Sequence, residues 1–268
     1  MRFPRLATLS GVLALVLLLA SCSTVPITGR RQLSLIPESQ MLSMSFDQYG
    51  TFLKENNVST DQAATGMVRR VGTRIQHAVE QYFAQQNQAD RLKDYKWEFN
   101  LVQSDEVNAW CMPGGKVVVY TGLLPVAKDE TGLAVVLGHE IAHAIAGHGG
   151  ERMSQQLLAQ MGGAALDVAL QSKPQQTRAM WSSVYGVGAQ YGALLPFSRQ
   201  QESEADHLGL VFMAMAGYGP HQAITFWTRM SASGGQKPPE LLSTHPSDQR
   251  RIDDLRNLMP EAEKYYKP

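Results

Sequence analysis

Apolar and polar residues follow a helical period over much of the chain. Between residues 38 and 88 the apolar residues recur at steps of three and four, which predicts helix. Residues 97–102 alternate like a strand and residues 116–120 form a β-branched run, so both predict β structure. The Pro-Gly-Gly sequence at 113–115 indicates a turn, and we therefore expect a hairpin or a bulged strand edge.

The second half of the chain is also mainly helical in its pattern. Asp129 offers an N-cap before the apolar run at 133–137, which predicts a helix that is buried on nearly every face. Residues 153–195 are rich in Ala, Gly, Leu and Gln and contain a Lys-Pro interruption, so they predict two helices, or one helix and a flexible lid. The remaining elements are a helix at 199–216, a loop at 234–239 and an amphipathic helix at 247–258.

The N-terminal residues have the pattern of an export signal. Arg2 and Arg5 precede an apolar run at 9–19, which ends in small residues and then Cys22. A cysteine at this place resembles a bacterial lipobox, in which the cysteine is lipidated and becomes the mature N-terminus. We therefore predict a lipoprotein signal peptide at 1–21, with an uncleaved membrane anchor as the alternative. By resemblance to Gram-negative lipoproteins, we expect the outer membrane, with the protein facing the periplasm.

Composition and charge describe an ordinary globular protein. Hydrophobic residues make up 44% of the chain and charged residues 18%, and 24 basic residues balance 24 acidic ones. No basic stripe stands out, so we predict no nucleic-acid partner. With Cys22 lipidated, Cys111 has no partner for a disulfide, and we expect it to be a small buried residue. The expected organisation is a tether at 22–37 and one domain at 38–268.

The pentad His-Glu-Ile-Ala-His at 139–143 carries the clearest chemical signal. Residues four apart share one face of a helix, so His139 and His143 can bind the same metal ion. Glu140 is rotated by about 100° from His139, which places its carboxylate beside the ion as a base for the attacking water. The alternatives are chance and two hydrogen-bonded core histidines. Because burying these polar groups without a shared partner is costly, we favour a zinc site.

A catalytic zinc site needs a third protein ligand, and the acidic segment at 202–206 offers candidates. Glu202 and Asp206 are four apart and share a helix face, whereas Glu204 points elsewhere and is expected to be a surface charge. The pattern alone leaves open whether Glu202 or Asp206 meets the metal. A solvated acidic face is the more common origin of such a cluster.

The two motifs together resemble the M48 family of zincin peptidases, which includes membrane-embedded members, the mitochondrial Oma1 type and bacterial periplasmic lipoproteins. The resemblance extends from about residue 63 to about residue 258, and the membrane helices of the embedded members are missing from this pattern. Further matching motifs are Asn-Ala-Trp at 108–110, Pro-Gly-Gly at 113–115, Tyr-Thr-Gly-Leu-Leu at 120–124, Gly-His at 147–148, Phe-Ser-Arg at 197–199 and Thr-His-Pro-Ser at 244–247.

The resemblance implies a fold and a ligand set. The fold is α+β and mostly helical, a gluzincin-like zincin domain with a small edge β-sheet. Glu202 becomes the third ligand of one Zn²⁺ per chain, beside His139 and His143. Asp206 is expected to bond to the far nitrogen of a liganding histidine and to fix its tautomer. Arg251 matches an arginine of relatives, and we expect it to assist the reaction or to pair with Asp206 or Asp254.

Two further features have a functional and a structural interpretation. Asn108, Ala109 and Trp110 resemble the zincin edge strand that pairs with an extended substrate, although an internal strand is the alternative. For His245 three roles are open: stabilising the developing oxyanion, occupying the open zinc position in a resting state, or a structural hydrogen bond in a loop.

These features predict a zinc-dependent endopeptidase of the bacterial cell envelope, in which Glu140 moves the proton. The resemblance and the expected location imply misfolded or misassembled envelope proteins as substrates. The alternative from another class is a lipoprotein that uses the same fold as a chaperone or binding module in envelope assembly.

Overall fold

The computed structural model describes residues 22–190, 194–232, 241–242, 245 and 249–268. The predicted signal peptide at 1–21 and the predicted loop at 234–239 lie outside these residues. Within them the structure is α+β and mostly helical, as predicted. None of the helices in this part of the chain combines the length and hydropathy that crossing a membrane requires.

Five strands and nine α-helices make up the described part of the chain. The strands are β1 (Cys22–Thr24), β2 (Arg31–Leu33), β3 (Glu98–Val102), β4 (Ala109–Met112) and β5 (Lys116–Tyr120). The helices are α1 (Glu38–Glu55), α2 (Gln62–Gln85), α3 (Leu124–Ala127), α4 (Glu130–Ala146), α5 (His148–Ala169), α6 (Gln175–Ala189), α7 (Leu195–Met215), α8 (Gln222–Ala232) and α9 (Gln249–Tyr265).

One compact unit comprises Met1–Met41 and Gly147–Phe197. In it β1 and β2 form an antiparallel pair, and Arg30 joins this pair to α5 through two hydrogen bonds of 2.7 Å to the carboxylate of Glu151. The main-chain N–H of Leu35 donates to the hydroxyl of Ser154 at 3.0 Å. The predicted tether at 22–37 therefore contains regular structure, because these polar contacts hold it against α5.

The second compact unit comprises Leu42–Ala146 and Ser198–Pro268. Its sheet has the strand order β3-β5-β4, in which β3 runs parallel and β4 antiparallel to β5. The Pro-Gly-Gly turn joins β4 to β5 in a hairpin, whereas the two strands predicted at 97–102 and 116–120 pair in parallel. Residues 147–197 cluster with the N-terminal segment, and the single domain expected at 38–268 stays a prediction.

Helix α4 forms the centre of the second unit. The carboxylate of Asp129 accepts a hydrogen bond from the main-chain N–H of Gly132 at 2.8 Å, which is the predicted cap. Every residue from Gly132 to Ala146 is buried, so the helix has the all-round burial that its apolar sequence predicts. Gly147 follows with φ +72°, a left-handed conformation that ends the helix.

Helices α4 and α7 approach each other through two glycines. A Cβ atom on Gly138 would lie 3.0 Å from the carbonyl oxygen of Gly209, and a Cβ on Gly209 would lie 3.0 Å from the main-chain nitrogen of His139. Only residues without a side chain allow this backbone contact. The close approach brings the His-Glu-x-x-His helix to the helix that carries the acidic motif.

Candidate metal centre

Helix α4 places two histidines and a glutamate in the interior. His139, Glu140 and His143 are all buried, and the two imidazole rings lie 4.7 Å apart between their centroids. Their Nε2 atoms are 3.1 Å apart, because residues four apart on a helix face the same side. The two imidazoles therefore present their nitrogens to one point.

Helix α7 supplies a carboxylate to the same point. The two carboxylate oxygens of Glu202 lie 3.3 Å from Nε2 of His139 and 3.4 Å from Nε2 of His143. Burial acts to raise the pKa of Glu202, but hydrogen bonds to the surrounding histidines outweigh it and hold that pKa well below its usual range. Of the two acidic residues left open by the helix spacing, Glu202 is the one that faces the imidazole nitrogens.

A third segment brings His245 into the cluster. Its Nδ1 atom lies 3.1 Å from Nε2 of His139 and 2.8 Å from the Oε2 atom of Glu202. One donor atom from each of His139, His143, Glu202 and His245 falls within 4.8 Å of the others. These four side chains are the group that can hold a metal ion in the described part of the chain.

The spacing of the four donor atoms fits one divalent metal ion. Ligands about 2.0–2.1 Å from a tetrahedral ion such as zinc are about 3.3 Å from one another. The contacts between neighbouring donor atoms run from 2.8 to 3.4 Å. Imidazole lone pairs repel each other at such distances unless a cation or a proton lies between them. The donor set of three imidazoles and one carboxylate therefore suits a tetrahedral cation.

Two buried charged residues support His139 on its far side. The Nδ1–H of His139 donates to the carboxylate of Asp206 at 2.9 Å, and the same carboxylate oxygen accepts from Arg251 at 2.6 Å. Arg251 also donates to the main-chain carbonyl of His245 at 3.3 Å. Arg251 thus pairs with Asp206, and Asp254 instead lies near Arg250. Such partners fix the tautomer of a ligating histidine and leave its Nε2 lone pair for the metal.

The same contacts determine the protonation of the metal-free cluster. Burial and the charge of Arg251 act to lower the pKa of His139, but hydrogen bonds to Asp206 and Glu202 outweigh them and raise it to about 9. Burial acts to raise the pKa of Asp206, yet Arg251 and His139 hold it below its usual value. Without a metal, the His139 ring is therefore protonated on both nitrogens at neutral pH, and a binding metal ion must displace the proton on Nε2.

Glu140 has a buried oxygen that no hydrogen bond satisfies. The residue is 4% exposed, and its Oε1 atom has no hydrogen-bond partner among the described residues. Nε2 of His245 lies 3.4 Å from this oxygen. Leaving a buried carboxylate oxygen unpaired costs free energy, so such an atom calls for a functional explanation.

Trp227 lies against the centre, although the sequence analysis did not single it out. It is 1% exposed, the guanidinium carbon of Arg251 lies 3.4 Å from its ring centroid, and the ring of His139 packs edge-on at 5.6 Å. Trp227 belongs to α8, a helix that the sequence interpretation omitted. The buried residues Ala223, Phe226, Trp227 and Met230 have the helical spacing that was the available signal.

The predicted substrate strand is an edge strand in the described sheet. Ala109 and Trp110 belong to β4, which pairs with β5 alone, and Asn108 directly precedes it. Trp110 packs edge-on against Phe52 at 4.9 Å between ring centroids. Cys111 follows in the same strand, half-buried, and burial raises the pKa of its thiol well above the usual range. Substrate binding at this strand stays a prediction.

The structure contradicts the expectation for Glu204 and does not test the expectation for Cys22. Glu204 was expected to be a surface charge, but it is 5% exposed. This expectation is wrong, because Gln201, Ala205 and Leu208 are also buried and leave α7 little solvent-facing surface here. Lipidation of Cys22 stays a prediction, since the structure describes only its main-chain pairing in β1.

Comparisons with known proteins agree with the geometry of the cluster. Residues 70–259 match the model of "Peptidase family M48". The fission yeast Schizosaccharomyces pombe "Mitochondrial metalloendopeptidase OMA1" is 38% identical over 178 residues, which are 64% of this chain and 49% of that protein. The human "Metalloendopeptidase OMA1, mitochondrial" is 31% identical over 261 residues, 94% of this chain and 48% of that protein. The Escherichia coli "Beta-barrel assembly-enhancing protease" is 31% identical over 167 residues, 60% of this chain and 34% of that protein.

These relatives are longer proteins, and most of them are mitochondrial by name. The chain spans about half the length, or less, of the curated relatives it matches. Six relatives, from yeasts, a plant and animals, are named as mitochondrial metalloendopeptidases. This finding contradicts the predicted outer-membrane location facing the periplasm, and that prediction is wrong. The N-terminal pattern is a targeting-type signal, and such patterns are similar in different compartments. It therefore identifies the location less reliably than the catalytic motifs identify the family.

Proposed function

The chain belongs to peptidase family M48, and from that premise we propose that it is a zinc-dependent endopeptidase. The observation that carries the proposal is the buried carboxylate of Glu140 beside the four candidate metal-ligand atoms. Its Oε1 atom makes no hydrogen bond among the described residues and lies 3.4 Å from Nε2 of His245. A purely structural metal site has no use for such a carboxylate, because a buried oxygen without a hydrogen bond destabilises the fold. A hydrolase uses it to accept a proton.

His139, His143 and Glu202 would hold the zinc ion, which supplies a Lewis acid for the scissile carbonyl and for water. Glu140 accepts a proton from the attacking water while the water oxygen forms its bond to the carbonyl carbon. Glu140 then donates this proton to the amide nitrogen as the carbon–nitrogen bond breaks. Asp206 keeps His139 in the tautomer that a metal needs.

His245 would act as a reversible occupant of the fourth ligand position. Its Nδ1 atom lies among the other donor atoms, at 2.8 Å from Glu202 and 3.1 Å from His139. With four protein ligands a tetrahedral site is closed, whereas catalysis needs one open position. We therefore propose a latent resting state that ends when His245 leaves the cluster.

Polypeptides in an extended conformation fit the edge strand β4. An edge strand offers unpaired main-chain groups, and pairing with a substrate strand gives affinity with little sequence preference. Asn108, Ala109 and Trp110 are the residues that would align the substrate. Misfolded or misassembled proteins expose such segments, and the printed name of the E. coli relative, which concerns protein assembly, also supports this substrate class.

The test compares metal content and casein cleavage in the wild type and in Glu140→Gln. Amide replacement preserves the shape of the side chain but removes the proton acceptor, so Glu140→Gln should bind one zinc per chain. We expect it to lose cleavage by a factor on the order of 10²–10⁴, the usual worth of a general base. Glu55→Gln, an exposed substitution outside the centre, is the matched control.

Two results would count against the proposal. Cleavage by Glu140→Gln at the wild-type rate would remove Glu140 from the mechanism. Zinc binding by both proteins without cleavage by either, even after His245→Ala, would favour the binding-module alternative over the peptidase.

A further inference from the structure

Helix α6 exposes a stripe of large apolar side chains. None of its 15 residues is buried. Met180, Trp181, Val184 and Val187 are 54%, 48%, 55% and 57% exposed, and their spacing places them on one face. A helix of this length is marginal in water unless an apolar face is covered. The stripe therefore calls for a covering surface.

Helix α5 carries a second stripe of the same kind. Leu157, Leu158, Met161 and Val168 are all exposed, the last two at 59% and 64%. At about 100° per residue these four positions fall within one side of the helix. Eight of the twelve large apolar side chains that are exposed in the described residues lie on α5 and α6. Exposed apolar residues are thus concentrated on this helix pair.

The two stripes lie on the outward-facing surface of the α5–α6 pair. The hydroxyl of Tyr185 donates to the carbonyl of Ala159 at 2.9 Å, and Ser182 lies 3.4 Å from the carboxylate of Asp167. Later residues of α6 therefore meet earlier residues of α5, so the helices run antiparallel. Right-handed helix geometry applied to these contacts turns each stripe by roughly 140–150° from the helix–helix contact, so both stripes lie on the outward-facing surface of the pair.

Charge is scarce on this apolar surface. Between residues 153 and 198 the charged residues are Asp167, Lys173 and Arg178. A partner that binds here must gain its affinity from the burial of apolar groups, because little charge is available for attraction. Trp181 adds an amphipathic ring of the type that is enriched where apolar and aqueous phases meet.

The predicted N-terminal signal segment precedes the described part of this compact unit in the sequence. The apolar run at 9–19 leads directly to Cys22, the first residue of β1. The β1–β2 pair is fixed to α5 by the Arg30–Glu151 ion pair and by the bond from Leu35 to Ser154. Whether the apolar run or a lipid on Cys22 enters a bilayer, the bilayer surface is brought to the unit that carries the two stripes.

From this arrangement we propose that the exposed apolar surface of α5 and α6 docks on a phospholipid bilayer. The stripes enter the boundary between head groups and acyl chains, and the helices lie along the membrane plane. Apolar burial drives the contact, so it is insensitive to salt. This inference is independent of the proposed peptidase chemistry.

The test measures the depth of a nitroxide label in vesicles. The full chain with Cys22→Ala and Cys111→Ala keeps its apolar N-terminal run and takes the label at Val184→Cys, in vesicles of phosphatidylcholine. The matched control carries the label at Ala179→Cys, about 140° around the same helix from position 184. Collision rates with lipid-soluble oxygen and with a water-soluble nickel complex report whether each label lies in lipid or in water.

We expect the label at 184 to meet oxygen at least several times more often than the nickel complex, at low and at high salt. The label at 179 should favour the nickel complex. Equal, water-like collision rates at both positions would overturn the proposal. So would dipolar broadening at 184 in the absence of vesicles, because it would assign the surface to a second copy of the chain. A label at Val187→Cys repeats the measurement if the first variant does not fold.

Discussion

His245 is the residue on which the state of the centre depends. It lies between a metal-ligand carboxylate and the proposed base, with Nδ1 at 2.8 Å from Glu202 and Nε2 at 3.4 Å from Glu140. In the proposed mechanism, a substrate oxygen and the attacking water need the space that His245 fills. The same contacts that complete the ligand set therefore block the reaction.

Removal of the His245 side chain should activate the resting enzyme. We expect His245→Ala to cleave casein several-fold faster than the wild type, because the fraction of molecules with an open ligand position rises. Initial rates at saturating zinc measure the effect, and His221→Ala, at an exposed surface histidine, is the control. A loss on the order of 10²–10³ in rate would instead assign His245 to oxyanion stabilisation.

The planar guanidinium of Arg251 contacts groups that hold His139 and His245 in place. This guanidinium lies over Trp227 and bonds to Asp206 and to the carbonyl of His245. Lysine keeps the charge but cannot stack or donate in a fork. We expect Arg251→Lys to weaken zinc binding by about 10–100-fold, measured by competition with a chelator. Arg256→Lys, which changes an exposed arginine on the same helix, should bind zinc like the wild type.

Sequence spacing could predict which residues share one face of a helix. His139 and His143 share a helix face whatever the tertiary structure, so a pentad is enough to pair them. The choice between Glu202 and Asp206 depended on the family resemblance, because spacing on one helix does not say which end faces another helix. Trp227 was missed because its role comes from contacts with residues of two other helices.

At the scale of elements, the contact between α4 and α7 aligns the ligands. The helices meet at Gly138 and Gly209 with backbone against backbone. His139 follows Gly138 directly, and Asp206 lies about one turn before Gly209 on α7, so the distance between the helices sets the bond between these two side chains. Any residue larger than glycine at the contact must separate them.

Gly209→Ala should therefore damage both stability and metal binding. Its Cβ would lie 3.0 Å from main-chain atoms of α4, which cannot yield like a flexible side chain. We expect a loss of about 1–3 kcal/mol in the free energy of unfolding, measured in urea, together with weaker zinc binding. Gly50→Ala is the control, since a Cβ there meets nothing within 4 Å and alanine favours helix. Equal stability of both variants would refute the role of the contact.

Most elements were predictable from periodicity, whereas their arrangement was not. The pattern at 38–88 predicted helix, and the structure divides it into α1 and α2, with a new cap at Asp61. The short helix α8 was omitted because its single apolar face spans only 11 residues between turn signals. The pairing of β3 with β5, parallel and not adjacent in sequence, depends on tertiary packing and leaves no local mark.

At the scale of the whole molecule, the centre links stability to pH. The raised pKa of His139, about 9 in the folded metal-free protein against an ordinary value of 6.5, means that the folded state holds this proton more tightly. The resulting stabilisation is complete below about pH 6.5 and is lost as the pH rises through about 9. Zinc binding has the opposite dependence, because the metal competes with the proton.

Urea unfolding of the metal-free protein at pH 6 and at pH 9.5 tests this linkage. We expect the free energy of unfolding to be smaller at pH 9.5, and the difference between the two pH values to shrink in His139→Asn. In the wild type, zinc affinity should rise over the same interval. A pH dependence that is unchanged in His139→Asn would place the titrating group elsewhere.

The cellular location of the whole protein was the property that the sequence predicted least well. A targeting signal is recognised by receptors and processing enzymes, so its physical constraints are few and its patterns overlap between compartments. The metal motif, by contrast, must satisfy the coordination geometry of an ion. Inference from residue chemistry is therefore strongest at the centre and weakest at the N-terminus.

The candidate ligands lie far apart in the sequence, so a bound ion would restrict the unfolded chain. The candidate ligand atoms come from positions 139, 143, 202 and 245, so one bound ion would cross-link segments up to about 100 residues apart, as a disulfide would. For a covalent link, closing a loop of this length restricts the unfolded chain by about 4–5 kcal/mol. A bound ion would act as a reversible cross-link. The metal concentration in a compartment would then determine the stability of the folded chain as well as its peptidase activity.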